Sequence, residues 1–185
     1  METVSNFYIA RLAAEDIDAL QPLEERVQLT FWGAENYRRF LEELPEYFGC
    51  KAVGTADPGA ETMLGFFLAR SVYENLEILK LGVIPEWQRQ GIGTHLMENA
   101  FAEGLRRGCC RCFLEVRKSN QKAIQFYYRH NFRIGGTRLN YYTDDEWEDI
   151  LSYEIWRPLG ERWLFRTKAS ATWRFRPASQ PPATP

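Results

Sequence analysis

LGVIPEWQRQGIGTHL, residues Leu81–Leu96, runs from apolar chain into Pro85, passes two glycines and continues as an amphipathic pattern. Pro85 cannot continue a hydrogen-bonded ladder, so a strand stops there. From Gly91 onward, Ile92, Leu96, Met97, Ala100, Phe101 and Leu105 share one helical face. A strand therefore hands over to a helix through a glycine-bearing turn. Backbone N–H groups at such a turn lack partners, and the helix dipole adds partial positive charge, so the turn can hold an anion. Gly91 and Gly93 allow close approach to the backbone, and Arg89 adds a formal charge at the rim. A Walker loop would need Lys and then Ser or Thr after its last glycine, but Gly93 precedes Thr94 and His95. The dinucleotide fingerprint needs a third small residue where Leu96 stands.

Upstream, FYIARL (Phe7–Leu12) reads as a strand, and AAEDIDALQPLEERVQL as a helix interrupted by Pro22. GAENYRRFLEELP reads as a second helix stopped by Pro45, and YFGCKAVG as a short strand before the turn ADPGAE. MLGFFLARSVY and NLEILKLGVI read as consecutive strands joined at Glu74-Asn75. Downstream, Arg106 and Arg107 suit a last helical turn and Gly108 its left-handed cap. RCFLEV is a buried strand, Ser119 caps a helix reaching Arg129, Gly135-Gly136 marks a bulge or a kink, and DILSYEIWRP is the last strand. The expectation is a mixed α/β domain with helices on both faces of the sheet.

The 185 residues, 45% hydrophobic and 26% charged, fit one globular domain with a real core. METVSNFYIARLAAEDI lacks a signal-peptide layout, and no apolar run is long enough to span a bilayer, so a soluble cytoplasmic protein without membrane association is expected. Cys50, Cys109, Cys110 and Cys112 lack metal-ligand spacing and read as small hydrophobes, so no metal is expected. Residues 1–158 read as the domain. Residues 159–185 read as an extension with five basic residues and one acid, ending in a Pro-rich stretch expected to be disordered.

Glu115 lies inside an apolar strand, where partial burial raises a carboxyl pKa and suits a base; the alternative is surface pairing with Arg111 or Arg117. Tyr127 sits on the apolar side of the next helix, as core residues do, and Asn120 lies in that helix's first turn. DDEWED follows Asn140, Tyr141 and Tyr142, and is either a solvated loop or a funnel for a cationic acceptor.

Together, LKLGVIPEWQRQGIGTHLMENAF, FLEVRKSNQKAIQFYYRHNF and RLNYYTDDEWED resemble the Gcn5-related N-acetyltransferases (GNAT), and among them the RimI-type ribosomal-protein alanine N-acetyltransferases. The resemblance spans roughly Leu76 to Arg157, and TFWGAENYRRFLEEL is similar, more loosely, to the family's substrate-side helix. It implies a GNAT fold with acetyl-CoA in a splay between central strands. Leu81, Gly82 and Val83 then face the thioester and pantetheine arm, and Arg89, Gln90, Gly91, Ile92, Gly93 and Thr94 cradle the pyrophosphate, with Asn120 on the CoA arm. Glu115 takes the place of the general base and Tyr127 that of the general acid, while Asn140, Tyr141 and Tyr142 line the acceptor groove. The implied acceptor is a protein or peptide amino terminus, that of a ribosomal protein, for a monomer or weak dimer. Gly82 replaces the usual Ala, Asn131 the usual Gly, and Ile150 the usual Ala. Other amines (another terminus, a lysine, a polyamine, a small molecule) and a non-catalytic acyl-CoA-binding module are the alternatives. The aromatic and basic tail, with Trp163, Phe165, Trp173 and Phe175, is a candidate for weak RNA contact, the alternative being an added strand or a loosely packed extension.

Overall fold

The computed structural model describes residues 7–57, 60–138 and 152–159. Its strands are β1 (Phe7–Arg11), β2 (Tyr47–Asp57), β3 (Ala60–Val72), β4 (Asn75–Val83), β5 (Arg111–Arg117), β6 (Arg133–Arg138) and β7 (Ser152–Pro158). They form one sheet in the order β1-β2-β3-β4-β5-β7-β6. Neighbours are antiparallel except β4 and β5, which run parallel. A parallel pair needs a crossover, and the turn at Gly91 followed by α3 (Ile92–Arg106) supplies it. The sheet is mixed, as the alternating strand and helix patterns require.

α1 (Ile17–Arg26) and α2 (Ala34–Arg38) cover one face, and α3 and α4 (Gln121–Arg129) the other. Leu76 of β4 lies against Gly104 of α3, whereas Gly82 of the same strand lies against Val27 and Leu29, beyond α1. A bulge explains this change of side. In the β3–β4 ladder Ala69 pairs with Ile78 but Leu68 pairs with Lys80, so Leu79 is the extra residue. Ile78 and Lys80 therefore point to opposite faces. Leu76, Ile78, Leu81 and Val83 face α3; Leu79, Lys80 and Gly82 face α1 and α2.

Several local expectations shift. Pro22 lies inside a continuous α1: it forfeits one backbone donor, while Ile17, Leu20, Leu23 and Glu24 stay buried and hold the helix in place. The second helix is divided, because α2 relaxes into a wider π-helical turn over Arg39–Glu43. β2 is eleven residues long rather than short. The β3–β4 turn falls at Tyr73-Glu74, one residue earlier than expected, with Tyr73 at φ 52° closing the Val72–Asn75 pair. Asn120, not Ser119, caps α4, its Oδ1 accepting from the Ala123 N–H at 3.1 Å. The expected caps at Gly108 (φ 86°) and Asn131 (φ 64°) are both left-handed, and Gly135 bulges between β6 and β7. All four cysteines are free thiols, and Cys109 and Cys112 are buried as expected of small hydrophobes. Burial pushes the half-buried Cys50 thiol up to about 11.

Among the described residues no helix is long and apolar enough to cross a membrane. Nor does any group of three or more His, Cys, Asp or Glu among them gather as a metal site.

Candidate active site

The turn before α3 is built to present backbone donors. Arg89 (φ 63°) and Gly91 (φ 87°) are both left-handed, which tightens the chain into the helix. The first intrahelical bond is from the His95 N–H to the Gly91 carbonyl at 3.0 Å. The amides of Ile92, Gly93 and Thr94 precede it and so face out of the helix end, where the dipole is positive. The Ile92 side chain is buried in the core, so that residue offers only its backbone. Arg89 and Gln90 are exposed at the rim, and Gln90 Nε2 donates to the Glu86 carbonyl. Gln88 Nε2 donates to the Val83 carbonyl at 2.9 Å, tying the turn to the end of β4.

α4 closes this turn from the side, a feature that sequence spacing did not reveal. A Cβ added at Gly93 would stand 3.3 Å from the Phe126 ring. Thr94 Oγ1 lies 3.5 Å from His130 Nε2, and the His130 ring packs on Phe126 and Phe101. Burial, then the nearby Arg157 guanidinium, depress the His130 pKa, with Glu98 opposing them. Well above pH 6.5 the imidazole is neutral in both folded and unfolded chains. Below that value the unfolded chain takes the proton first, so stability falls with pH until the folded imidazole also titrates. Melting temperatures measured from pH 7.5 down to about 5 are thus expected to decline more steeply in the native protein than in His130→Gln.

β4 and β5 pair over only four positions, from Asn75–Arg111 to Ile78–Leu114, although β4 continues to Val83 and β5 to Arg117. Beyond Ile78 and Leu114 the strands part. Glu115 is the first β5 residue past that point, and its Oε2 is buried. Cys112 and Leu114 pair with Leu76 and Ile78, which face α3, so Glu115, the next residue, projects to the α1–α2 side. Tyr127 is 8% exposed on α4, on the other face, packed on Phe126 and Phe132. Glu115 and Tyr127 thus lie on opposite faces of the sheet, and the β4–β5 pairing ends at the residue before Glu115. Asn120 Oδ1 is taken up in capping α4, so any further contact of this side chain has to come from its amide nitrogen. Asn140, Tyr141 and Tyr142 lie outside the described residues.

On the α1–α2 side stands a cluster that the spacing of motifs also left unseen. Lys80 and Glu24 form a buried ion pair, 4% and 0% exposed at the side chain. Lys80 also donates to the Thr30 carbonyl and lies 4.2 Å from the Trp32 ring centroid. The Tyr37 hydroxyl donates to Glu24 Oε1 at 2.5 Å. Burial depresses the Lys80 pKa against the opposing pull of Glu24, and raises that of Tyr37. Beside this cluster is a cavity of about 340 Å³ lined by Trp32, Asn36, Phe40, Tyr47, Arg70 and Leu79. Arg70 of this lining donates from Nε to Glu77 Oε2 at 2.7 Å.

The sequence profile described as "Acetyltransferase (GNAT) family" matches residues 17–132. The chain belongs to the GNAT family. As an N-acetyltransferase of that family, it is 30% identical over 144 residues to the [ribosomal protein bS18]-alanine N-acetyltransferase of Escherichia coli K12, covering 77% of this chain and 93% of the relative. The Salmonella typhimurium protein of the same name is 31% identical over 134 residues, covering 72% and 86%. The crystal structure of the Escherichia coli ribosomal-protein-S18-alanine N-acetyltransferase superposes with a TM-score of 0.70 at 26% identity, covering 91% of this chain and 99% of that one. Arabidopsis thaliana NAA60, solved with acetyl-CoA, shares the GNAT fold at a TM-score of 0.73 and 18% identity, covering 83% and 98%. The residues of this GNAT chain fit that co-substrate: open amides and two glycines suit a pyrophosphate, and parted strands leave room for an acyl arm.

Proposed function

We propose that this N-acetyltransferase uses acetyl-CoA to acetylate the N-terminal alanine of a ribosomal protein by direct transfer, in the cytoplasm. The observation that carries the reading is the opening between β4 and β5, with Glu115 on one face and Tyr127 and the anion turn on the other. The names of the bacterial relatives support the acceptor.

The chain's own groups divide the work. The amides of Ile92, Gly93 and Thr94, with Arg89 and Gln90 at the rim, hold the pyrophosphate, and Asn120 steadies the arm. Leu81, Gly82 and Val83 line the thioester, whose acyl group supplies the electrophile. An α-amino group has a pKa of about 7.7–8.0, so it is largely protonated at neutral pH. Glu115 removes that proton, directly or through water, and frees the nitrogen lone pair. A backbone N–H near Val83 faces the carbonyl oxygen as negative charge grows there. Tyr127 gives its proton to the departing thiolate.

Three acceptors separate the readings: a ribosomal-protein peptide starting with Ala, a blocked peptide with one lysine, and spermidine, each followed by CoA release. Turnover with the first is expected. Turnover with spermidine alone overturns the peptide acceptor, and tight acetyl-CoA binding with no release from any amine overturns the catalytic reading.

A further inference from the structure

Residues 27–33 belong to no helix or strand and take left-handed backbone at both ends, at Gln28 (φ 57°) and Gly33 (φ 87°). Backbone bonds tie its start to α1, the last of them from the Leu29 N–H to the Glu24 carbonyl at 2.9 Å, but the segment has no ladder of its own. It nevertheless lies along β4: Val27 and Leu29 fill the space a side chain at Gly82 would need, and a Cβ there would stand only 2.8 Å from Val27 Cγ2. Thr30 and Trp32 close over Lys80.

Lys80 is charged where an apolar side chain would pack more cheaply, since replacing a buried ion pair with hydrophobes is often neutral or stabilising. What an ammonium offers instead is direction, with three donors set tetrahedrally. Here one goes to Glu24 of α1, one to the Thr30 carbonyl, and the cation faces the Trp32 ring. Each contact ties a different part of the acceptor side to β4, one residue before Leu81. Trp32 and Leu79 are in turn walls of the 340 Å³ cavity, and Leu79 lies just past the last β4–β5 pair, level with Glu115.

We propose that Lys80 is a positioning residue for the acceptor: through Glu24, the Thr30 carbonyl and Trp32 it pins residues 27–33 to β4, and so sets the wall of a cavity on the α1–α2 side of that strand that receives acceptor side chains. This use of the cavity rests on the acetyl-transfer reading above; the pinning itself does not.

The test is Glu24→Gln/Lys80→Met, which removes both charges together and keeps the volume. The folded variant is expected to bind acetyl-CoA within about twofold of the native protein. Amide hydrogen exchange across residues 29–33 rises about tenfold or more. The acceptor KM rises by about tenfold while kcat changes by less than about threefold. Native-like exchange at 29–33 overturns the pinning, and a native acceptor KM overturns the cavity's role. A change in acetyl-CoA affinity equal to that in KM also overturns it, since the pair would then be a general structural prop. Trp32→Leu leaves the ion pair intact and carries the same KM prediction if the double variant does not fold. Failure of every amine to release CoA would count against the catalytic reading, whereas hydrogen exchange decides the pinning without an acceptor.

Discussion

Glu115→Gln is expected to lower acetyl transfer to an α-amine by about 10²-fold or more at neutral pH. The substitution keeps shape and most hydrogen bonding, so acetyl-CoA affinity and melting temperature should stay close to native. The loss should shrink as pH rises through the acceptor's own pKa of about 7.7–8.0, because the amine then arrives deprotonated and needs no base. A ratio of native to variant rates that narrows between pH 7 and 9 marks proton removal. A ratio that stays constant over that range would mean Glu115 only orders the strand gap. Tyr127→Phe should lose less, since a thiolate leaves readily without full protonation.

Glu24→Ala is expected to be the most damaging single change to stability. It strips the counter-charge from an ammonium whose side chain is 4% exposed and removes the acceptor of the Tyr37 hydroxyl. Breaking one member of a buried pair costs about 3–5 kcal/mol, which is roughly a 10 °C fall in melting temperature for a chain of this size. The sign with pH is set by Lys80, whose pKa burial already depresses. Between its folded and unfolded values the unfolded chain holds more protons, so stability rises with pH. Losing Glu24 removes the group opposing that depression, and the deficit should be smaller at pH 9 than at pH 7. Thermal melts of the native protein, Glu24→Ala and Glu24→Gln/Lys80→Met at both pH values check this. The double variant should recover most of the loss.

The helix start at Gly91, the strand carrying Glu115 and the cap at Gly108 were legible because each rests on local chemistry: missing donors, apolar periodicity, a left-handed glycine. Ser119 and Asn120 are both competent caps. The choice went to Asn120 because its Oδ1 reaches the Ala123 amide, a distance that adjacent residues in a sequence do not reveal. Tyr73 adopts a backbone geometry that no tyrosine advertises. The Glu24–Lys80 pair joins residues 56 positions apart, on a helix and a strand that look ordinary by themselves. A lysine amid Leu, Ile, Gly and Val in LEILKLGVI was the available signal, and its meaning depended on which face it took. That face was hidden, because alternation through Leu79 reads as unbroken when the extra residue is itself apolar.

The bulge at Leu79 makes β4 a strand with two allegiances. Upstream of it the side chains at even positions belong to the layer under α3. Downstream the odd positions take over that layer, placing Leu81 with α3 and Lys80 with α1. Were Leu79 drawn into the ladder as an ordinary paired residue, the end of the strand would invert. A cation would turn into the oily layer beneath α3, and Leu81 would turn outward to Glu24. The extra residue acts as a phase shift, and the segment taken to hold the thioester depends on it for its orientation.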